Sequence, residues 1–173
     1  MKNSVLKCVA CTCVVLNLYG CKKLFPPEKL TIPLTSYTGD QLRIDGYFYE
    51  DSEPNFIIYI LYRNGVILGG ESVLGSEIAA KENALRNGEY YSYVKENRLR
   101  WGRFIIVDHS IKFEKWYPSP EFPVYQSAGE ILNDSTFHIS SSRHGEDAFK
   151  AEDELYHFKK LSPKPDSTNE FTN

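Results

Sequence analysis

Beyond position 21 the chain contains no cysteine, and its single methionine is Met1. Everything after Cys21 therefore lacks a disulfide, a thiol nucleophile and a thiolate metal ligand. The N-terminal apolar run, Cys8–Tyr19, is shorter than the roughly 20 residues a membrane-spanning helix needs. A long basic run is also missing, and the net charge is −3, which argues against nucleic acid as a partner. The one local basic cluster, Arg98-Leu99-Arg100-Trp101-Gly102-Arg103, reads as a solvated strand edge. No Gly-x-Ser-x-Gly elbow is present, and Gly69-Gly70 is followed by Glu71 rather than the Gly-Lys-Ser/Thr of a phosphate loop. The four histidines, His109, His138, His144 and His157, never fall at His-x3-His spacing, so zinc has no sequence support. His109 reads as a solvated turn residue, and His138 and His157 as structural strand residues. Cofactors are not implied.

What the chain has is aromatic rings: 14% of residues, with 12 Tyr and 10 Phe. Such a load favours strands, where broad rings suit a pleated, half-buried surface. Hydrophobic residues at 42% and charged residues at 25% fit one globular domain.

The N-terminus reads as an export signal. Met1–Lys7 is basic, Cys8–Tyr19 is mostly apolar, and no acid precedes Cys21. As metal ligands, Cys8, Cys11, Cys13 and Cys21 would lie in an apolar stretch without nearby histidine, which rejects that use. Leu18-Tyr19-Gly20-Cys21 resembles the lipobox of bacterial lipoproteins, with Tyr19 where a small or β-branched residue is usual. The resemblance implies cleavage before Cys21 and attachment of lipid, palmitate included, to that cysteine. It also implies a place in the bacterial envelope, at the outer membrane. Several acyl chains give stable anchoring at about 0.8 kcal/mol per buried methylene. Lys22 and Lys23 can meet anionic head groups. The expected organisation is a signal at 1–20, an anchored proline-containing tether at 21–37, one β-rich domain at 38–162 and a flexible tail at 163–173.

Within the domain, Gln41–Tyr49 alternates as a half-buried strand, with Leu42, Ile44 and Phe48 inward and Arg43, Asp45, Tyr47 and Tyr49 outward. Phe56–Tyr62 reads as a central strand. Asn64-Gly65 before Val66-Ile67-Leu68 is a hairpin turn. Ser76–Arg86 reads as a helix capped by Ser76 and stopped at Asn87-Gly88, while Glu89–Asn97 fits either helix or strand. Strands follow at Arg100–Val107, Ile111–Trp116, Val124–Leu132, Thr136–Ser140 and Leu155–Leu161, with Ser141–Asp153 as a polar loop. The sum is a mainly β fold of about eight antiparallel strands, a curved sheet or small barrel, with one helix inserted after the third strand. In strand order alone it resembles lipocalin-like exported barrels.

The segments 155–169, 42–48 and 61–65 resemble uncharacterised small lipoproteins of gut-type anaerobes, a resemblance that implies no activity. Asp134-Ser135-Thr136 and Asp166-Ser167-Thr168 resemble the acceptor pattern of protein O-glycosylation in such bacteria, which marks Ser135 and Ser167. Trp101, Phe104, Phe113, Trp116, Tyr125, Tyr156 and Phe158 are candidates for a barrel interior. Trp101, Trp116, Tyr125 and Tyr156 are the candidate ligand-lining residues, for a small apolar or glycan ligand. A filled core is the favoured use of these rings. Carboxylates cluster at Glu50, Asp51 and Glu53, at Glu146 and Asp147, and at Glu152, Asp153 and Glu154; loop clusters of this kind are usually solvated. The expected function is a non-enzymatic binding or interaction module. The alternatives are an envelope hydrolase using a carboxylate pair on a sugar and a purely structural lipoprotein. No protein partner is indicated.

Overall fold

The computed structural model describes residues 29–89, 94–118 and 123–172. The expected signal, Cys21, Lys22, Lys23 and the ambiguous Tyr90, Tyr91 and Tyr93 lie outside the described residues. Eight strands close into one antiparallel barrel in simple chain order. They are β1 (Gly46–Ser52), β2 (Asn55–Leu61), β3 (Val66–Leu74), β4 (Trp101–Val107), β5 (Ser110–Trp116), β6 (Val124–Asn133), β7 (Thr136–His144) and β8 (Lys150–Lys160). One short helix, α1 (Ile78–Asn87), follows the third strand. β1 closes the ring against β8, with Phe48 opposite Phe158 and Glu50 opposite Tyr156. Among the described residues no helix is long and apolar enough to cross a membrane.

Because successive strand residues point to opposite faces, the two faces of this wall can be told apart by their clusters. One cluster draws on all eight strands: Phe48, Tyr59, Leu61, Ile67, Phe104, Ile111, Phe113, Ile131, Phe137, Ile139 and Tyr156. It is the barrel interior. Its rings touch: Phe137 stacks on Tyr156 at 4.8 Å, Phe48 meets Phe137 at 5.0 Å, and Tyr59 meets Phe113 at 5.1 Å. The middle of the barrel is filled with side chains.

A second cluster lies on the outer face: Tyr47, Ile58, Ile60, Tyr62, Val66, Leu68, Val73 and Trp101, covered by Leu85 of α1, Val94 and Leu161. Tyr47, expected to point to solvent, is 1% exposed. A strand buried on both faces loses the alternation that sequence reading relies on. Its hydroxyl donates to Glu82 at 2.7 Å, and Glu82 also pairs with Lys159 at 2.6 Å and Arg86 at 3.2 Å. That carboxylate pins α1 to the wall. Burial pushes its pKa up, but the bonds from Lys159, Tyr47 and Arg86 outweigh this and leave it below the usual value.

The helix begins at Ile78 without a side-chain cap, so Ser76 does not cap it. It ends where expected, on Gly88 in the left-handed region. The first strand starts at Gly46 rather than Gln41, because Leu42 and Ile44 belong to a segment that folds over one end of the barrel. The segment expected as a polar loop, Ser141–Asp153, is mostly strand, since β7 runs on to His144 and β8 begins at Lys150.

Both terminal segments lie along the outside. Glu114 on β5 is fully buried and accepts from Ile32 N–H, Thr31 Oγ1 and Gln126 Nε2. Arg103 donates to the carbonyls of Ile32 and Thr172. Arg98 stacks on Trp116 at 3.4 Å and Arg100 faces Glu71 at 3.5 Å. The basic cluster is thus a 3-10 turn (Arg98–Arg100) and a clamp on the termini, not a solvated strand edge. Residues 163–172, expected as a flexible tail, make these and further contacts, including Trp116 Nε1 donating to Phe171 O.

Candidate functional site at the polar mouth

The two ends of the barrel differ. One end is closed by residues 35–45: Tyr37 and Leu42 enter the interior cluster, and Leu42 N–H donates to the Tyr37 hydroxyl at 2.7 Å. Beside this plug is a groove of ≈ 200 Å³ lined by residues 35–39, by Gln41 and by Phe104, Ile105 and Ile106. None of its lining side chains is charged at neutral pH.

At the other end the inward positions turn polar. The register sets Lys115 opposite Tyr125, Tyr125 opposite His144, and Ser127 opposite Ser142. Glu152 and Glu154 follow on β8, with Glu50 beside them on β1. Tyr156 donates to Glu154 at 3.0 Å, and Ser142 donates to Glu152 at 2.5 Å. Tyr59 packs on Tyr156 with ring centres 5.5 Å apart. At the rim, Tyr117, Tyr125 and His144 form an aromatic group, with Tyr117 and His144 4.5 Å apart and Tyr125 and His144 4.9 Å apart. Tyr117 is 41% exposed.

Electrostatics follow from this crowding. Burial raises the pKa of Glu154, the Tyr156 bond lowers it, and the charges of Glu50 and Glu152 raise it again. Burial and the nearby carboxylates push the Tyr59 and Tyr156 hydroxyls well above the ordinary phenol value. Burial, followed by the charge of Arg100, pushes the Lys115 amine down to about 7. Among the described residues no cluster of His, Cys, Asp or Glu is disposed to hold a metal ion. The mouth can accept and donate hydrogen bonds and stack a ring.

The four ligand-lining candidates separate into two pairs. Tyr156 lies inside, 1% exposed within the ring stack, and Tyr125 lies at the mouth. Trp101 and Trp116 are on the outer face instead, one under α1 and the other beside Leu30 and Val124. Their inward neighbours are Gly102 and Lys115, one position away, and a shift of one residue changes the face of a strand. Phe104, Phe113 and Phe158 are interior as expected. Ser135 sits in the β6–β7 turn, its hydroxyl on Asn133; Ser167 accepts from Asn64 Nδ2. Cys21 lies outside the described residues. His138 faces Asp153 at 2.8 Å on the outer wall, and His157 packs on Tyr49.

Sequence reading placed Glu152 and Glu154 in a loop, as solvated acids first and as a hydrolase's carboxylates or a weak calcium site second, and it passed over Lys115, Ser142 and Tyr59. The signal was present: Ser142-x-His144 and Glu152-x-Glu154 repeat at period two. It was hidden because both faces of these strand ends are polar. No protein-family model, no curated protein and no solved structure matches the chain. The functional argument rests on geometry.

Proposed function

We propose that this protein is an envelope lipoprotein, anchored by lipid on Cys21 at the outer membrane, whose barrel is a non-enzymatic binding module with its polar mouth as the recognition surface. The observation that carries the reading is the division of the interior. Rings in mutual contact fill the middle, which removes the space a small apolar ligand would need. The mouth offers what a glycan uses: aromatic faces at Tyr117 and Tyr125 for stacking, and Glu50, Glu152, Glu154 and Ser142 for hydroxyl groups. Calorimetric titration of the protein with a panel of neutral and amino sugars tests this. Saturable heat that disappears in Tyr117→Ala supports it; a flat response across the panel overturns it. Anchoring is checked separately by intact mass of the protein isolated from membranes, where Cys21→Ser would lose the acyl mass.

The second reading is a carbohydrate-active hydrolase. It is favoured by one observation, the raised pKa of Glu154 beside two further carboxylates, the pattern of an acid poised next to a base. Release of a chromogenic leaving group from aryl glycosides, abolished in Glu154→Gln, would establish it over the binding module.

A further inference from the structure

We infer that Lys115 is a reactive amine, built to capture a small, unhindered aldehyde as an imine, with the Tyr59 phenol supplying the proton. The inference is independent of the glycan reading, because it concerns a deeper group in the same mouth.

The seat of Lys115 is made by glycines. β2 and β3 shift register between Ile58 and Tyr59, and the opposing Gly69 and Gly70 both take positive φ, 131° and 77°. A side chain at either position would be strained. The irregularity turns the Gly69 carbonyl to the amine, which donates to it. A Cβ on Gly70 would lie 1.8 Å from Lys115 Nζ and 3.2 Å from Tyr59 Oη, so amine and phenol flank the same point. A Cβ on Gly102 would lie 2.7 Å from Lys115 Cγ. The amine also lies over the Tyr59 ring, 5.1 Å from its centre.

What faces the amine explains its state. Tyr59 of β2 lies under it, Tyr125 of β6 is its register partner, and the charge of Arg100 acts on it from the turn before β4. Among the described residues no carboxylate pairs with Lys115, although three stand in the same mouth. A buried ammonium without a counter-ion is costly, and Arg100 adds repulsion, so the amine is substantially neutral near pH 7. A neutral amine is the nucleophilic form.

The chemistry balances without a further reagent. Nζ attacks the aldehyde carbon, forming a C–N bond and a carbinolamine after one proton moves from nitrogen to oxygen. Tyr59 then protonates the hydroxyl, which departs as water as the C=N bond forms. The remaining N–H proton returns to the phenolate. Tyr59 packs on Tyr156 with ring centres 5.5 Å apart, and Tyr156 donates to Glu154, which sets the phenol at the inner end of the mouth. Lys115 is 8% exposed, which limits the reactant to a short aldehyde.

The test is reductive trapping of the full-length protein with glycolaldehyde and cyanoborohydride from pH 6 to 10, read by intact mass and peptide mapping. The expected result is one preferred adduct at Lys115, formed at pH 7 at least tenfold faster than at surface lysines. Its rate should be half-maximal near pH 7, and the preferred mass gain should vanish in Lys115→Arg. Tyr59→Phe should slow capture about tenfold with that midpoint unchanged. Labelling of surface lysines while Lys115 stays unmodified would overturn the inference. So would a Lys115 rate that tracks the surface amines, and an unchanged rate in Tyr59→Phe would overturn the role given to the phenol. Mapping the unaltered protein needs no variant to fold.

Discussion

Each end of the barrel holds a desolvated lysine, Lys115 buried and Lys164 half-buried, and the two are used differently. At the closed end Lys164 arrives from the C-terminal segment, donates to the carbonyls of Ile44 and Leu61, and lies 4.5 Å from the centre of the Tyr62 ring. Burial pushes its amine down to about 8, with Asp45 opposing the shift. At the mouth Lys115 has one carbonyl, no carboxylate and a cationic neighbour. Desolvation acts on both. Lys164 ties three chain segments together, while Lys115 sits on a strand and crosses the place left by a glycine side chain. A desolvated amine with several acceptors is a staple; one with few is a candidate for chemistry.

The largest expected effect sharpens the contrast between the filled middle and the mouth. Phe137→Ala, which removes a fully buried ring stacked on Tyr156, should cost about 3–5 kcal/mol in urea unfolding. Ser142→Ala at the mouth should cost only about 1 kcal/mol. Equal losses would mean that the mouth is as integral to the core as the ring stack.

pH comes next. Lys115 and Lys164 bind protons less readily when folded, at about 7 and about 8 against 10.5 for the free amine. As pH rises between those values the unfolded chain holds more protons, so stability should increase, by up to about 1.4 kcal/mol per pH unit for each amine. Below pH 7 both states are protonated and the gain is absent. Denaturation midpoints from pH 7 to 9.5 check this. Lys115→Met should flatten most of the rise, and Lys164→Met a smaller part starting one unit higher. Identical flattening would erase the distinction between the two ends.

A smaller effect concerns the outer layer. Glu82→Ala leaves the Tyr47 hydroxyl and Lys159 without their acceptor and should cost about 1–3 kcal/mol, read by thermal unfolding. Least of all, Arg43→Ala at the closed end breaks an exposed pair with Asp45 and should leave the thermal midpoint essentially unchanged. A larger loss there would show that the plug over the closed end depends on its surface charges.

Much of the architecture was legible. Asn64-Gly65 is the β2–β3 turn, with Gly65 at φ 82°, because Gly meets the positive φ such a turn requires. Gly88 ends α1 for the same conformational reason. The strand count, the antiparallel order and the helix after β3 followed from hairpin signals and periodicity. Errors gathered where a strand is not amphipathic. Tyr47 and Trp101 belong to a wall buried on its outer side by α1 and the terminal segments. The ends of β7 and β8 are polar on both faces and read as loop.

The sequence by itself determined where most of the strands lie, where the hairpins turn and that aromatic rings dominate the core, since these depend on local backbone preference and on periods of two. Only the tertiary structure decided that the sheet closes and that its middle is full. It also decided that Glu50, Glu152, Glu154, Tyr59 and Lys115 share one mouth. Those outcomes depend on register around a ring of eight strands, where one residue of slip turns every side chain to the opposite face, and on a glycine whose missing side chain gives its place to an amine from a strand it does not pair with.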